Sequence, residues 1–211
     1  MRRIFFLAVS FSSIFFASSS AQMPSPAVFQ KKAPSIFRAV FTTNKGSFTI
    51  EANRSWSPGG VDRLYQLISS GFYNNNRLFR VEPFFVVQFG ISDKPAINDF
   101  WIKKVLADEP VMIPNKKGFL SFARGARNSR STQLFINMVD NPLLDTVLRE
   151  TVKGYPPVAR IIKGMETLSL LNSHYGKKPL FLQDSLLKYG NSYFEQKFPG
   201  LDYIISARIV Q

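Results

Sequence analysis

Apolar and polar residues alternate most cleanly over residues 36–53. Ile36 to Thr43 and Ser47 to Asn53 flank a turn at Asn44-Lys45-Gly46. In the second run Phe48, Ile50 and Ala52 alternate with Ser47, Thr49, Glu51 and Asn53. A period of two with one apolar face predicts a β-hairpin packed on a core. After Pro58 the period changes: Val61, Leu64, Tyr65 and Ile68 share one helical face, and Gly71 suits the helix end. Apolar runs punctuated by turn residues predict strands at 78–81, 84–90, 119–123, 133–139 and 158–162 and a last strand at 202–210. Short helices are expected at 164–172 and 190–198. Many short strands with few helices and no βαβ rhythm predict a mainly β domain, an antiparallel barrel or sandwich capped by helices.

The beginning of the chain has a different pattern. Arg2-Arg3, the uncharged Phe-rich run Ile4 to Phe16 and the small residues Ser19-Ser20-Ala21 predict a signal peptide over 1–21, cleaved after Ala21. The apolar run is shorter than the ~20 residues that span a bilayer. Export, to a periplasm or to the medium, is therefore expected. Residues 22–35 hold three prolines and read as a flexible leader into a single domain over 36–211.

Composition narrows the chemistry. The 211 residues include 27 Lys+Arg, 14 Asp+Glu, one histidine and no cysteine, for a formal net charge of +13. Lacking cysteine, the chain has no disulfide, Cys-ligated zinc or thiolate nucleophile. The lone His174 limits metal and triad chemistry to one position and reads as a surface residue. Neither a cofactor nor a metal is expected. The positive charge suggests nucleic acid, but the basic residues are dispersed, so no nucleic-acid partner is expected. The densest set, Arg124, Arg127 and Arg130, reads as solvated loop charge; an anionic partner bound there is the competing reading.

One strand points to a site. In Gln133 to Val139, Leu134, Ile136 and Met138 form an apolar core face, leaving Gln133, Phe135 and Asn137 on the other side. An aromatic ring beside an amide there is either covered by a packed loop or lines a binding pocket. The run from Phe79 to Gly90 has the same character, with Arg80 and Gln88 inside an apolar stretch interrupted by Pro83. An arginine, two glutamines and several phenylalanines suit holding a peptide backbone and an apolar side chain.

These residues belong to a longer series. Thr43-x-Lys45-Gly46, Val61-Asp62-Arg63, Gly71-Phe72-Tyr73, Phe79-Arg80-Val81 with Phe85-x-x-Gln88, Gly118-x-Leu120-Ser121-Phe122-Ala123, Thr132 to Asn137, Asp140-Asn141, Leu144-Asp145 and Gly164-Met165 occur in that order. From about Phe41 to Met165 the chain resembles the cyclophilin family of peptidyl-prolyl cis-trans isomerases. Gly190-Asn191-x-Tyr193 and Phe198-Pro199-x-Leu201-Asp202-Tyr203-Ile204 resemble the tail of a bacterial, exported branch. The resemblance implies a closed eight-stranded antiparallel barrel capped by α-helices. It also implies a monomer that speeds rotation about X–Pro bonds in proline-containing polypeptides and assists the folding of exported proteins.

The resemblance further implies residue roles. Arg80 would be catalytic. Phe85, Val86, Phe135 and Leu144 would line the proline pocket, Gln88 and Gln133 would bind backbone or hold Arg80, and Ala123 and Arg124 would form the rim. Leu143 stands where many eukaryotic members have tryptophan, and Tyr155 where the family often has a pocket histidine. Two departures bear on rate. Phe84 replaces a glycine usual in that turn. Glu82, two residues from Arg80 along a strand, is expected to share its face, pair with it and lower activity. A low-turnover proline-peptide chaperone or scaffold on the same fold is the alternative.

Overall fold

The first hairpin forms as its alternation predicts. β1 (Ile36–Thr43) and β2 (Gly46–Asn53) pair antiparallel from Ile36↔Asn53 to Thr43↔Gly46, and Phe41, Phe48, Ile50 and Ala52 are buried on one face. The computed structural model describes residues 23–210, so the expected signal peptide lies outside the described residues.

The remaining strands are short. They are β3 (Arg80–Val81), β4 (Val86–Phe89), β5 (Phe119–Phe122), β6 (Leu134–Asn137), β7 (Leu148–Arg149), β8 (Val152–Lys153), β9 (Pro157–Lys163) and β10 (Ile204–Val210). Eight of them form one antiparallel sheet in the order β10-β1-β2-β9-β5-β6-β4-β3, and β7 and β8 make a separate small hairpin. The sheet curls, but it is a half-barrel and not the closed barrel expected. Its end strands share no ladder: an isolated bridge, Arg77↔Tyr203, and backbone bonds such as Leu78 N–H to Asp202 C=O (2.9 Å) span the seam. The cause is local. Residues 71–75 form turns, with Gly71 and Asn75 at positive φ, leaving β3 two residues long.

Helices cover the sheet. α1 (Pro58–Ser69) buries Val61, Leu64, Leu67 and Ile68 in the main core and packs across β9 and β10. Its amino end is capped from outside: the Glu109 carboxylate accepts from Gly59 N–H (2.7 Å), Gly60 N–H (3.2 Å) and the Ser57 hydroxyl. An anion there satisfies orphan donors and opposes the helix dipole. α2 (Pro95–Ile102) and the one-turn α3 (Leu143–Thr146) were not anticipated. α4 (Gln183–Lys197) starts seven residues before the helix expected at 190–198 and breaks at Gly190, whose φ is 62°. A Cβ at Gly190 would lie 2.3 Å from the Asp93 carbonyl oxygen, so only glycine permits this approach. The helix expected at 164–172 is a 3-10 turn, Met165–Leu170.

Two expectations are corrected. The flexible leader is docked over most of its length. Pro26–Gln30 forms a 3-10 turn, Val28 and Ala33 are buried, and the Phe29 ring stacks on Phe100 (5.2 Å) and meets Trp101 edgewise (5.1 Å). Apolar burial holds this stretch despite its prolines. The basic loop set is likewise not solvated as a whole: Arg127 is exposed, but Arg124 and Arg130 are buried. Arg130 donates to Glu109 Oε2 (3.0 Å), Ser57 Oγ (3.3 Å) and the Ala107 carbonyl, because Asp108 and Glu109 lie against the loop. His174 is exposed, as expected.

Candidate active site

Register builds the site. Arg80 lies opposite Gln88 in the β3–β4 pair, and Gln88 lies opposite Phe135 in the β4–β6 pair. Cross-strand partners share a face, and side chains alternate between faces. Val86, Gln88, Phe135 and Asn137 therefore turn one way, and Val87, Phe89, Leu134 and Ile136, all fully buried, turn into the core. The β3–β4 turn is fixed by Phe85 N–H to Glu82 C=O and Glu82 N–H to Val86 C=O (2.9 Å each). Phe84 takes no left-handed backbone in this turn, so its bulk costs no strain there, and its ring projects into solvent at 89% exposure.

A chain of polar contacts crosses the face. Arg80 Nε donates to Glu82 Oε1, as the two-residue spacing predicted, and Arg80 Nη1 donates to Gln88 Oε1 (3.2 Å). Gln88 Nε2 then donates to Gln133 Oε1 (2.9 Å), and Gln133 Nε2 to Gln183 Oε1 (3.2 Å). The guanidinium carbon sits 5.1 Å from the Phe85 ring centroid. Gly90, with φ 115°, lets β4 end within 2.5 Å (measured from a would-be Cβ) of the Gln133 Cα, which brings Gln133 to Gln88. Arg80 is thus held from two sides, and its Nη2 makes no hydrogen bond among the described residues.

Beside this chain lies an apolar pocket. Val86, Phe135 and Tyr155 are buried together, with Phe85, Ala123, Leu144 and Val147 packed against them. Phe135 and Tyr155 meet edge to face at 5.6 Å. Arg80, Phe85, Val86, Gln88, Ala123, Arg124, Gln133, Phe135, Leu144 and Tyr155 all line one cleft of about 690 Å³, a size usual for ligand sites.

Two of the expected site residues play other parts. Leu143 does not line the cleft; α3 turns Leu144 inward and leaves Leu143 78% exposed. Arg124 touches the cleft, but its side chain is fully buried behind Tyr155. It donates to the carbonyls of Gly154 (2.6 Å) and Val152 (3.0 Å) and lies 4.9 Å from the Tyr155 ring centroid. Arg124 supports the pocket wall.

Several participants escaped sequence reasoning. Asn115, 1% exposed, donates from Nδ2 to the Tyr155 carbonyl and Asp145 Oδ1 (2.8 Å each). Its Oδ1 accepts from Ser121 Oγ (2.9 Å) and Asn137 Nδ2 (3.1 Å). This hub fixes the pocket backbone, and nothing in its sequence context marks it. Leu180, Gln183 and Leu187 close one side of the cleft, and Ile102 and Val105 another. The seven-residue spacing of Leu180 and Leu187 was a usable helical signal, obscured by the Gly176-Lys177-Lys178-Pro179 stretch. Among the described residues, no group of three or more His, Asp or Glu side chains is placed to hold a metal ion.

Comparison with known proteins settles the family. Residues 38–188 match the model of the cyclophilin type peptidyl-prolyl cis-trans isomerase/CLD family. This chain belongs to that family. It is 31% identical over 134 residues to peptidyl-prolyl cis-trans isomerase A of Dickeya dadantii, covering 60% of this chain and 66% of that protein. It is also 31% identical over 132 residues to peptidyl-prolyl cis-trans isomerase B of Escherichia coli, covering 61% of this chain and 79% of that protein. The match thus spans just under two thirds of the Dickeya protein. The crystal structure of a Cryptosporidium parvum cyclophilin type peptidyl-prolyl cis-trans isomerase superposes with a TM-score of 0.58, covering 83% of this chain and 98% of that one at 20% identity. At that identity the likeness shows the cyclophilin fold alone.

Proposed function

We propose that this cyclophilin is a peptidyl-prolyl cis-trans isomerase acting on proline-containing polypeptides. The observation that carries the reading is the Arg80 guanidinium, held by Gln88 at the mouth of the Phe85–Val86–Phe135–Leu144–Tyr155 pocket. Rotation about X–Pro must overcome a barrier of about 18–20 kcal/mol set by amide resonance. No bond is made or broken, so the site needs neither nucleophile nor proton relay. As the amide twists, the lone pair localises on the prolyl nitrogen. A guanidinium aimed at that nitrogen stabilises the twisted form more than either planar one. The pocket seats the proline ring while the glutamines hold the backbone. The test is isomerisation of a proline tetrapeptide by wild type and Arg80→Ala; full retention of rate would refute the reading.

A second reading, capture of proline segments with little turnover, is favoured by one contact. Glu82 occupies Arg80 Nε and places a carboxylate beside the group that should oppose developing negative charge. Measurable proline-peptide binding without rate enhancement would support it.

We read the biological role as assistance to exported proteins. The Arg2-Arg3, apolar, Ser-Ala series at the start of the chain supports export, and so does the bacterial-type tail from Gly190 to Ile204. Among the described residues, no helix is long and apolar enough to cross a membrane. One chain supplies the whole cleft, which supports action as a monomer. Fractionating cells that express the full chain, with mass measurement of the mature amino terminus, tests export.

A further inference from the structure

The polar chain on the cleft face has a direction. Arg80 has donors only, so it holds Gln88 with Oε1 towards the guanidinium (3.2 Å) and Nε2 towards Gln133. Gln88 Nε2 can only donate, so Gln133 turns Oε1 to it (2.9 Å) and carries its own Nε2 away. The chain closes only if the next group accepts. That group is Gln183, whose Oε1 takes the Gln133 Nε2–H at 3.2 Å. Gln88 is buried, so bulk water does not replace a partner that turns away. Gln183 comes from a distant part of the chain. It opens α4, and Leu187, one helical turn later, lines the same cleft. Leu186, beside Leu187, is fully buried in a second small core with Phe79, Ile91, Phe194, Phe198 and Leu201. Phe79 immediately precedes Arg80, so one apolar cluster anchors both α4 and the strand that carries the guanidinium. Asn98 Nδ2 of α2 also donates to the Leu187 carbonyl (3.3 Å). These contacts hold the backbone of Gln183 independently of its amide.

We propose that Gln183 is a positioning residue for Arg80, the terminal acceptor that keeps both cleft glutamines turned with their oxygens towards the arginine. The proposal rests on the isomerase reading and extends it, since it gives α4 a part in holding the guanidinium. If the group at this position donates instead, Gln133 turns its Oε1 towards it and presents Nε2 to Gln88. Gln88 then either turns as well, placing Nε2 against the Arg80 donors, or meets Gln133 donor to donor. In the first case Arg80 keeps only its bond to Glu82. In the second, Gln88 loses the partner that steadies it beside Arg80. The effect reaches Arg80 through two amides and needs no contact between Gln183 and the substrate.

Three substitutions at this position test the proposal, read as kcat/KM for a proline tetrapeptide. Gln183→Glu keeps an acceptor and is expected to stay within about twofold of wild type. The charged residues lining the cleft are all arginines, Arg80, Arg124 and Arg149, so the added carboxylate meets no like charge on the wall. Gln183→Met keeps the length without the acceptor and should cost about threefold, and Gln183→Lys, a donor in place of an acceptor, about tenfold. A residue that merely packs there would give a different order, with Met tolerated best and both charged side chains worst. That order, or equal rates for the three variants, overturns the proposal. The side-chain amide signals of Gln88 in nitrogen–proton correlation spectra read the same event without turnover. Gln88 bonds to Gln133 and not to Gln183, so its signals should keep their wild-type positions in Gln183→Glu and move in Gln183→Lys. Signals that move in neither variant, or equally in both, also overturn it. Failure of the isomerase reading is distinguishable: it appears as an Arg80→Ala variant with the full tetrapeptide rate, and the Gln88 signals then decide the part of Gln183 alone.

Discussion

Arg80 and Arg130 carry the same guanidinium into opposite surroundings. Arg80 sits on a two-residue edge strand with its side chain 17% exposed, held by one neutral amide and one carboxylate. Arg130 is fully buried, between the Glu109 carboxylate that caps α1 and the Ala107 carbonyl. In the second setting the charge is neutralised and joins α1 to the loop after β5. In the first, Nη2 makes no hydrogen bond among the described residues, and the side chain lines the cleft. Residue type does not separate the two arginines; each has one guanidinium nitrogen without a hydrogen bond, and the difference is that Arg130 Nε is buried while Arg80 borders the cleft.

The sharpest way to break this comparison is to remove each group and ask which property falls. Arg80→Ala is expected to lower kcat/KM by about a hundredfold to a thousandfold, the usual effect of deleting one transition-state donor. Its chemical stability should change by less than about 1 kcal/mol. Glu109→Gln is expected to do the reverse. It leaves the buried Arg130 with only the more distant Asp108 carboxylate, 4.0 Å from Nε, at a cost of about 3 kcal/mol in urea unfolding, with kcat/KM of the folded fraction unchanged. If Arg80→Ala unfolds the protein, or Glu109→Gln removes activity at full stability, the division between the two arginines is wrong.

Acid provides a gentler test. Burial pushes the Glu109 carboxyl up, but the Ser57 hydroxyl, the Gly59 N–H and Arg130 together draw it below its ordinary value. Asp62 is lowered in the same way, with Arg54 and the Ala33 N–H outweighing its burial. A carboxyl whose folded pKa lies below the unfolded value, about 4 for these groups, contributes stability above that value. The contribution is lost as pH falls through the folded pKa. Urea midpoints should therefore drop as pH falls from about 5 towards 3, and Glu109→Gln should flatten part of that slope. A midpoint that stays constant over this range contradicts the assignment.

The smallest expected effect is at the cleft itself. Glu82→Leu frees Arg80 Nε and removes a like charge from the developing lone pair, so kcat/KM should rise by about threefold. An unchanged rate would show that the Glu82 contact does not limit what Arg80 does.

How far these features were legible in the sequence follows from the range of the interactions. The Arg80–Glu82 pair was readable because strand periodicity alone puts residues two apart on one face, and the chain delivered that contact. Phe135 and Gln133 were readable for the same reason. Arg124 and Arg130 were misread because their fate depends on Asp108 and Glu109, some twenty residues away, folding back over a loop that looks polar. The docked segment at 26–33 shows the same limit: its prolines suggest looseness, while Phe100 and Trp101, about seventy residues on, decide its place. Leu143 was counted as a substrate-binding residue beside the pocket-lining Leu144 because resemblance carries over positions but not the rotation of a four-residue helix.

The seam between β3 and β10 has a consequence for how the cleft keeps time. Gln88 stands in a strand laddered on both sides, whereas Arg80 stands on the border of the sheet, beyond which only Arg77↔Tyr203 and a few single backbone bonds reach across. Borders opened by few hydrogen bonds breathe at lower free energy than interiors. The pocket floor is thus a fixed anvil and the guanidinium rides on its sprung edge. Backbone amides of residues 78–81 should exchange their hydrogens with solvent well before those of 87–89, a rhythm that belongs to the seam and persists with the cleft empty.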